Sequence, residues 1–340
     1  MEIKCYEDVD PVLWNNILSK NIDIHNIFQR YEWALLMKEC YGYVPFFAFI
    51  SDGDVLRGGL LYFKKPVMKI FCAYETCGGP LYVNSNQFLS IKSETIKHLA
   101  CLSGHPLYVS IRSRANDTDE TYYIKHSFLK SIFYTIIIDT TRNENVLWDS
   151  FNKNARNSIR KAQKNDVEIK EANNWSIWLD FYKLHVAHSQ KRKISPKNLK
   201  FFKFLYDVFL PNNLCKLLIA YKDNALIGGS LSLSSNGVVT DYLGAIDDLY
   251  RKFSINDLIM WETIKLAIEN GSSIFDLGDT WPNPQSYLYN IHVFKSKWGG
   301  HLIENSFFIK GEAYRFGRNL VLNNKLVGNI YESFHRTNLI

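Results

Sequence analysis

The stretch Phe294-Lys295-Ser296-Lys297-Trp298-Gly299-Gly300 places a lysine behind an aromatic ring and close after a Gly/Pro-rich loop. An ammonium group fixed in a cleft suits acyl transfer. The carbonyl oxygen gains negative charge as an amine attacks it, and a cation held there stabilises the transition state more than the ground state. The plain alternative is a surface lysine on an edge strand. Gly299 and Gly300 permit a tight turn after Trp298.

Two basic clusters precede this motif. On a helix, Lys153, Arg156, Arg160 and Lys164 fall at spacings of three and four and share one face, while Ala155, Ile159 and Ala162 form the opposite, core-facing stripe. Lining up like charges costs a few tenths of a kcal/mol per pair, roughly, and a bound phosphate offsets it; a solvated basic face is the alternative. The second cluster, His188 to Lys203, holds Lys191, Arg192, Lys193, Lys197, Lys200 and Lys203 without an acid. Ser195-Pro196 reads as a helix start, which puts Arg192 and Lys193 just ahead of a helix N-terminus, a favourable place for phosphate.

These clusters account for the charge of the whole chain. The net charge is +6, yet residues 1–150 carry −2, residues 151–203 carry +9 and residues 204–340 carry −1. A block of this kind marks contact with an anionic partner; a solvated helix face is the alternative. Metal and redox chemistry find little support. Cys72 and Cys77 are badly spaced for a zinc ribbon or redox pair, and His185 and His188 lack a nearby third ligand. No P-loop, Gly-x-Ser-x-Gly elbow or His-Glu-x-x-His occurs. The six cysteines read as free thiols in a reducing compartment. The acidic, mixed N-terminus is no signal peptide and no run reaches the ~20 apolar residues of a membrane span, so the expected location is cytoplasmic.

The elements that must position these groups alternate between strand-like and helix-like. In the second half, helical segments from Asn143 to Asn165, Ser176 to Ser189 and Pro196 to Val208 precede strands Leu214 to Tyr221, Ala225 to Ser234 and Val238 to Ala245. Asn236-Gly237 is a hairpin signal. A helix from Asn256 to Asn270 and a strand Ser273 to Leu277 follow. The first half repeats a looser version of this plan: Phe46 to Ile50, a turn at Asp52-Gly53-Asp54, then Val55 to Phe63. A length of 340 residues fits two domains at roughly 100–200 residues each. The class is α/β (α+β).

Four stretches together resemble the FemAB-type aminoacyltransferases, tandem GNAT-like proteins that add amino acids to peptidoglycan precursors from aminoacyl-tRNA. They are Arg156-Asn157-Ser158-Ile159-Arg160-Lys161-Ala162, Tyr242-Leu243-Gly244-Ala245 ahead of the helix Leu258 to Lys265, Ile274-Phe275-Asp276-Leu277-Gly278, and the Phe294 to Gly300 motif. The resemblance implies two tandem GNAT-like domains with mixed, twisted sheets flanked by helices, at residues 1–143 and 144–310. A C-terminal segment, 311–340, would pack back on the first domain. It gives Lys295 the oxyanion role and sets Lys38 and Arg192 on the acceptor's phosphates. Tyr242 and Phe294 would line the acceptor cleft, and Arg156, Arg160 and Lys164 would meet the donor's phosphates. Asp276 is a candidate base, though hydrogen bonding at a strand end is its plainer role. The implied partners are aminoacyl-tRNA and a nucleotide- or lipid-linked cell-wall precursor, with peripheral membrane contact and no stable protein partner.

The donor has an alternative in a coenzyme A thioester, which GNAT enzymes hold on a Gly-rich loop opening a helix. The equivalent stretch, Tyr250 to Leu258, has no glycine, and Asp257 adds a negative charge in the first turn. An acyl-CoA donor is disfavoured, and a polyanionic tRNA suits the basic window better. No cofactor or metal is expected.

Overall fold

The computed structural model describes residues 1–21, 26–67, 71–103, 106–113, 117 and 119–324. The chain forms two compact units, Met1–Tyr134 with Ile303–Leu320, and Thr135–Leu302 followed by the chain from Val321. The sequence sets the boundaries at 143/144 and 310/311. Residues 325–340 of the expected C-terminal segment lie outside the described residues.

In chain order the first part contains β1 (Glu2–Tyr6), α1 (Pro11–Ser19), α2 (Tyr31–Tyr41), β2 (Val44–Asp52), β3 (Val55–Val67), β4 (Phe71–Thr76) and β5 (Leu81–Tyr82). Then come α3 (Phe88–Ala100), β6 (Val109–Arg112), α4 (Thr121–Lys125) and β7 (Leu129–Asp139). The second part contains α5 (Glu144–Ser150), α6 (Lys153–Lys164), β8 (Glu168–Glu171), α7 (Trp175–Lys191), α8 (Leu199–Phe204), β9 (Cys215–Lys222), β10 (Ala225–Ser235) and β11 (Val238–Ile246). It continues through α9 (Ile255–Glu269), β12 (Ile274–Thr280), α10 (Tyr289–Lys295), β13 (His301–Lys310) and α11 (Glu312–Asn323).

The first unit's strand order is β1-β2-β3-β4-β6-β13, and the second's is β8-β9-β10-β11-β12-β7. Each sheet begins with four antiparallel strands. Each then gains a parallel strand after a helical crossover, which is the connection parallel pairing requires. The parallel registers correspond: Tyr74↔Val109, Glu75↔Ser110 and Thr76↔Ile111 in one unit, and Val238↔Ile274, Val239↔Phe275 and Thr240↔Asp276 in the other. A final strand distant in sequence completes each sheet.

One dipeptide shows the duplication at residue level. Gly58-Gly59 in β3 and Gly228-Gly229 in β10 occupy equivalent strands, and neighbours in a strand point to opposite faces. A Cβ at Gly228 would sit 3.1 Å from Ile255 of α9, and one at Gly229 would sit 2.8 Å from Phe181 of α7. In the first unit the same positions would meet Ile91 of α3 and Trp14 of α1, each at 3.0 Å. Both sheets are therefore covered on both faces by helices that approach too closely for a side chain. The core of the second unit joins Ala155, Ile159 and Ala162 of α6 to Ile259 and Ile264 of α9, Phe275 and Leu277 of β12, and Trp298. The first is built on Leu60, Tyr62, Ile96, Ile111 and Phe308.

The helix expected from Asn143 to Asn165 is two helices. Phe151 packs edge-on against Trp261 and Trp298, and Asn152 caps α6 by accepting from the Asn154 N–H at 2.9 Å. The helix expected to start at Ser195-Pro196 starts later, because Asn198 caps α8 by accepting from Phe201 N at 2.8 Å. Among the described residues no helix is long and apolar enough to cross a membrane.

Candidate active site

β11 and β12 pair only as far as Thr240 and Asp276 and then part. β11 continues on β10, with Asp241 opposite Ser232 and Leu243 opposite Leu231. Tyr242 is the extra residue of this bulge, a device that re-aims side chains beside active sites. β12 continues through Gly278, whose φ of +76° favours glycine.

Lys295, the last residue of α10, reaches this fork. Its Nζ donates to the Asp279 carbonyl at 2.8 Å and lies 3.4 Å from where a Cβ on Gly278 would sit. Burial lowers the ammonium's pKa, and the carboxylates of Asp241, Asp279 and Asp276 oppose that shift. Asp241 accepts from Ser230 Oγ at 2.8 Å. Burial raises its pKa, with Lys295 and Ser230 acting against the rise and Asp276 adding to it. Asp276 is more fully engaged. Its Oδ1 accepts from the Gly278 N–H at 2.8 Å and also from Thr135 Oγ1. Its carboxylate thus shapes the strand end. Asp241, Ser230 and Asp279 were missed in the sequence, where a single Asp within an apolar strand carries no motif.

The second lysine of the motif does other work. Lys297 forms an ion pair with Asp257 in the first turn of α9 and lies 4.2 Å from the Phe294 ring centroid. Asp257 is buried, which raises its pKa against the pull of Lys297. Phe294 is half-buried against the fully buried Trp298. A Cβ on Gly299, at φ +67°, would stand 2.5 Å from Ser150 Oγ. The Trp-Gly-Gly turn thus anchors the motif to the end of α5 and leaves Lys295 as the lysine directed to the fork.

The basic residues divide among several roles. Arg156 is half-buried, and its Nη1 donates to the carbonyls of Trp148, Asp149 and Phe151 at 2.8–3.3 Å, satisfying the end of α5. Arg160 is exposed, its guanidinium 5.4 Å from the Trp148 ring centroid. Lys164 is exposed in the last turn of α6. Arg192 is the C-cap of α7 and is exposed; the helix start it was expected to precede directly lies further on, at the Asn198 cap of α8. Lys38 is exposed in the last turn of α2, in the first unit. Tyr242 stacks on Phe201 at 6.1 Å, with Lys197 Nζ 6.0 Å from its ring centroid.

The loop after α7 hangs on a histidine. His185, 5% exposed, accepts the Lys197 N–H on Nε2 at 3.0 Å. Burial, helped by His188 and Lys197, lowers its pKa from 6.5 to about 4. The unfolded chain then binds more protons between those values, so this contribution to stability is complete above pH 6.5 and is lost as pH falls towards 4. Denaturant melts at pH 7 and pH 4.5 should show it as a loss approaching about 3 kcal/mol. The loss should shrink in His185→Gln.

Residues 149–283 match the family model described as Acetyltransferase (GNAT) domain. No curated protein matches the chain. Among solved structures, FemX superposes with a TM-score of 0.73 at 15% identity, over 93% of this chain and 99% of FemX. L-PGS from Bacillus licheniformis gives 0.61 at 12% identity, over 94% of this chain and 97% of that one. A tandem GNAT protein from the clavulanic acid biosynthesis pathway gives 0.55 at 8% identity, covering 91% and 98%. The duplicated sheet agrees with these likenesses: residues 149–283 are matched as a GNAT domain, and the chain as a whole has the fold of FemX and of the tandem GNAT protein.

Proposed function

We propose that the chain transfers an amino acid from aminoacyl-tRNA to a primary amine of a nucleotide- or lipid-linked cell-wall precursor. The match of residues 149–283 to an acetyltransferase (GNAT) domain supports acyl transfer; donor and acceptor are our assignments. The observation that carries the donor is Asp257. A coenzyme A pyrophosphate would need the free N–H groups at the start of α9. Here the first turn carries a buried carboxylate that takes up the charge of Lys297, and no glycine from Tyr250 to Leu258 opens the backbone to a diphosphate. The +9 window supports a polyanionic donor.

In this reading the acceptor amine attacks the ester carbonyl at the fork of β11 and β12. The Lys295 ammonium stabilises the oxyanion, and the Asp241 carboxylate takes the proton that the amine must lose. The N–C bond forms, the ester C–O bond breaks, and the proton leaves with the tRNA hydroxyl. Arg192 holds an acceptor phosphate, Tyr242 and Phe294 line the acceptor's path, and Arg160 and Lys164 meet the donor. Arg156 contributes only what its bonds to α5 leave over.

A second reading, an N-acyltransferase using an acyl-CoA on an amino sugar or polysaccharide precursor, is favoured by the acetyltransferase match and by the exposed Arg251 and Lys252 ahead of α9. Transfer of radiolabelled amino acid from total charged tRNA to muramyl-peptide precursors separates the two. Label in the precursor supports the first; no transfer, with calorimetric binding of coenzyme A, supports the second.

A further inference from the structure

α10 brings a second side chain to the fork. His292 precedes Lys295 by one helical turn, on the same face of the helix. Lys295 Nζ lies 3.4 Å from where a Cβ on Gly278 would sit, and His292 Nδ1 lies 3.3 Å from Oγ1 of the fully buried Thr280. Gly278 and Thr280 alternate with Asp279 in β12, so they share one face of the strand. The ammonium and the imidazole therefore stand side by side, about 6.5 Å apart along the strand. With Nδ1–H donating to Thr280 Oγ1, Nε2 keeps its lone pair, and among the described residues it has no partner. The ring is half-buried, so one edge reaches water.

A primary amine reaches such a site as an ammonium ion and loses two protons on its way to an amide. The one lost as the N–C bond forms goes to Asp241. The earlier one, whose loss frees the lone pair for attack, needs a base of its own. We propose that Nε2 of His292 is the general base that takes this first proton from the acceptor's ammonium group. The amine N–H bond breaks, an Nε2–H bond forms, and the electron pair stays on the amine nitrogen and attacks the carbonyl. The imidazolium then returns its proton to water. Lys295 assists, because its positive charge disfavours a second cation beside it and so eases deprotonation of the amine. The titratable groups around the ring are Tyr289 and Lys295 on α10, Lys297 in the turn after it, Asp276 and Asp279 on β12, and Asp241 on β11. Burial lowers the imidazole's pKa, so the ring is neutral at pH 7 and able to accept. The assignment rests on acyl transfer to an amine at this fork, from either donor.

Steady-state transfer from about pH 6 to about pH 8.5 tests it. Charged tRNA with a muramyl-peptide precursor and acetyl-coenzyme A with an amino sugar are run in parallel, because both acceptors carry the same proton. His292→Ala should lower kcat about 10²-fold at pH 7. The loss should shrink about tenfold per pH unit as hydroxide frees the amine instead, and free imidazole should restore part of the rate. A lost packing contact would leave the same deficit at every pH, without rescue. Thr280→Val, which removes the oxygen that orients Nδ1, should give a smaller loss with the same pH dependence. Wild-type kcat in His292→Ala, or a deficit indifferent to pH and imidazole, overturns the assignment and leaves acyl transfer standing. Transfer from neither donor removes acyl transfer itself, and the assignment with it.

Discussion

Replacing Lys295 by Ala is expected to lower kcat by about 10²- to 10³-fold, the usual cost of removing a group that meets a developing oxyanion. That corresponds to about 3–4 kcal/mol of transition-state stabilisation. The donor's KM should move little, because the charge this ammonium faces exists only during acyl transfer. Lys295→Arg should not restore the rate, because the space beside Gly278 and the Asp279 carbonyl is filled by a single nitrogen. Steady-state transfer assays with charged tRNA measure these effects, and circular dichroism checks the fold. A Lys295→Ala enzyme of undiminished kcat would remove the oxyanion role.

Asp241→Asn should separate activity from stability. The side chain is nearly isosteric and still accepts from Ser230, but it cannot take a proton. A loss of about 10²- to 10⁴-fold is expected, the range for a positioned general base. In the native enzyme the rate should climb as Asp241 ionises, at a pH above the ordinary carboxylate range because burial raises its pKa. That acid limb should vanish in the variant. Stability moves the other way. A carboxyl whose folded pKa is raised gives its full contribution below the unfolded value and loses it as pH rises through the folded one. Neutral Asn is spared that loss, so the variant should melt at the same temperature as wild type or higher near pH 7. Rate profiles against pH, with thermal melts at pH 7, check both limbs. A variant with wild-type kcat and an intact acid limb would mean that another group takes the proton.

Much of this could be read from the chain, for reasons that also explain what could not. Ala155, Ile159 and Ala162 marked the buried face of α6 because three apolar residues at helical spacing leave little choice. The hairpin at Asn236-Gly237 and the strands flanking it followed from turn chemistry. By contrast β1 and β8 are short edge strands without a single buried residue, so they lack the apolar run that marks a strand. β13 carries buried Asn305 and Ser306, and its partner β6 lies far back in the chain. At the site, motif and chemistry pointed to Lys295. Its carboxylate neighbours come from β11 and β12, and only the fold brings them to it. Arg156 showed a basic face by spacing, yet its bonds run to the carbonyls of the preceding helix, a contact decided by the break at Phe151.

The strand that finishes the first sheet has a consequence for biosynthesis. β13, from Ile303 onward a part of the first unit, pairs with β6 through Phe307↔Arg112 and its neighbours. At about 5–20 residues per second, a ribosome that has delivered residue 134 needs roughly ten to forty seconds more to deliver that strand. Throughout that interval the nascent amino-terminal half exposes the unpaired edge of β6 and must be shielded from its neighbours on the polysome. A premature stop anywhere upstream of β13 spoils both halves of the protein at once.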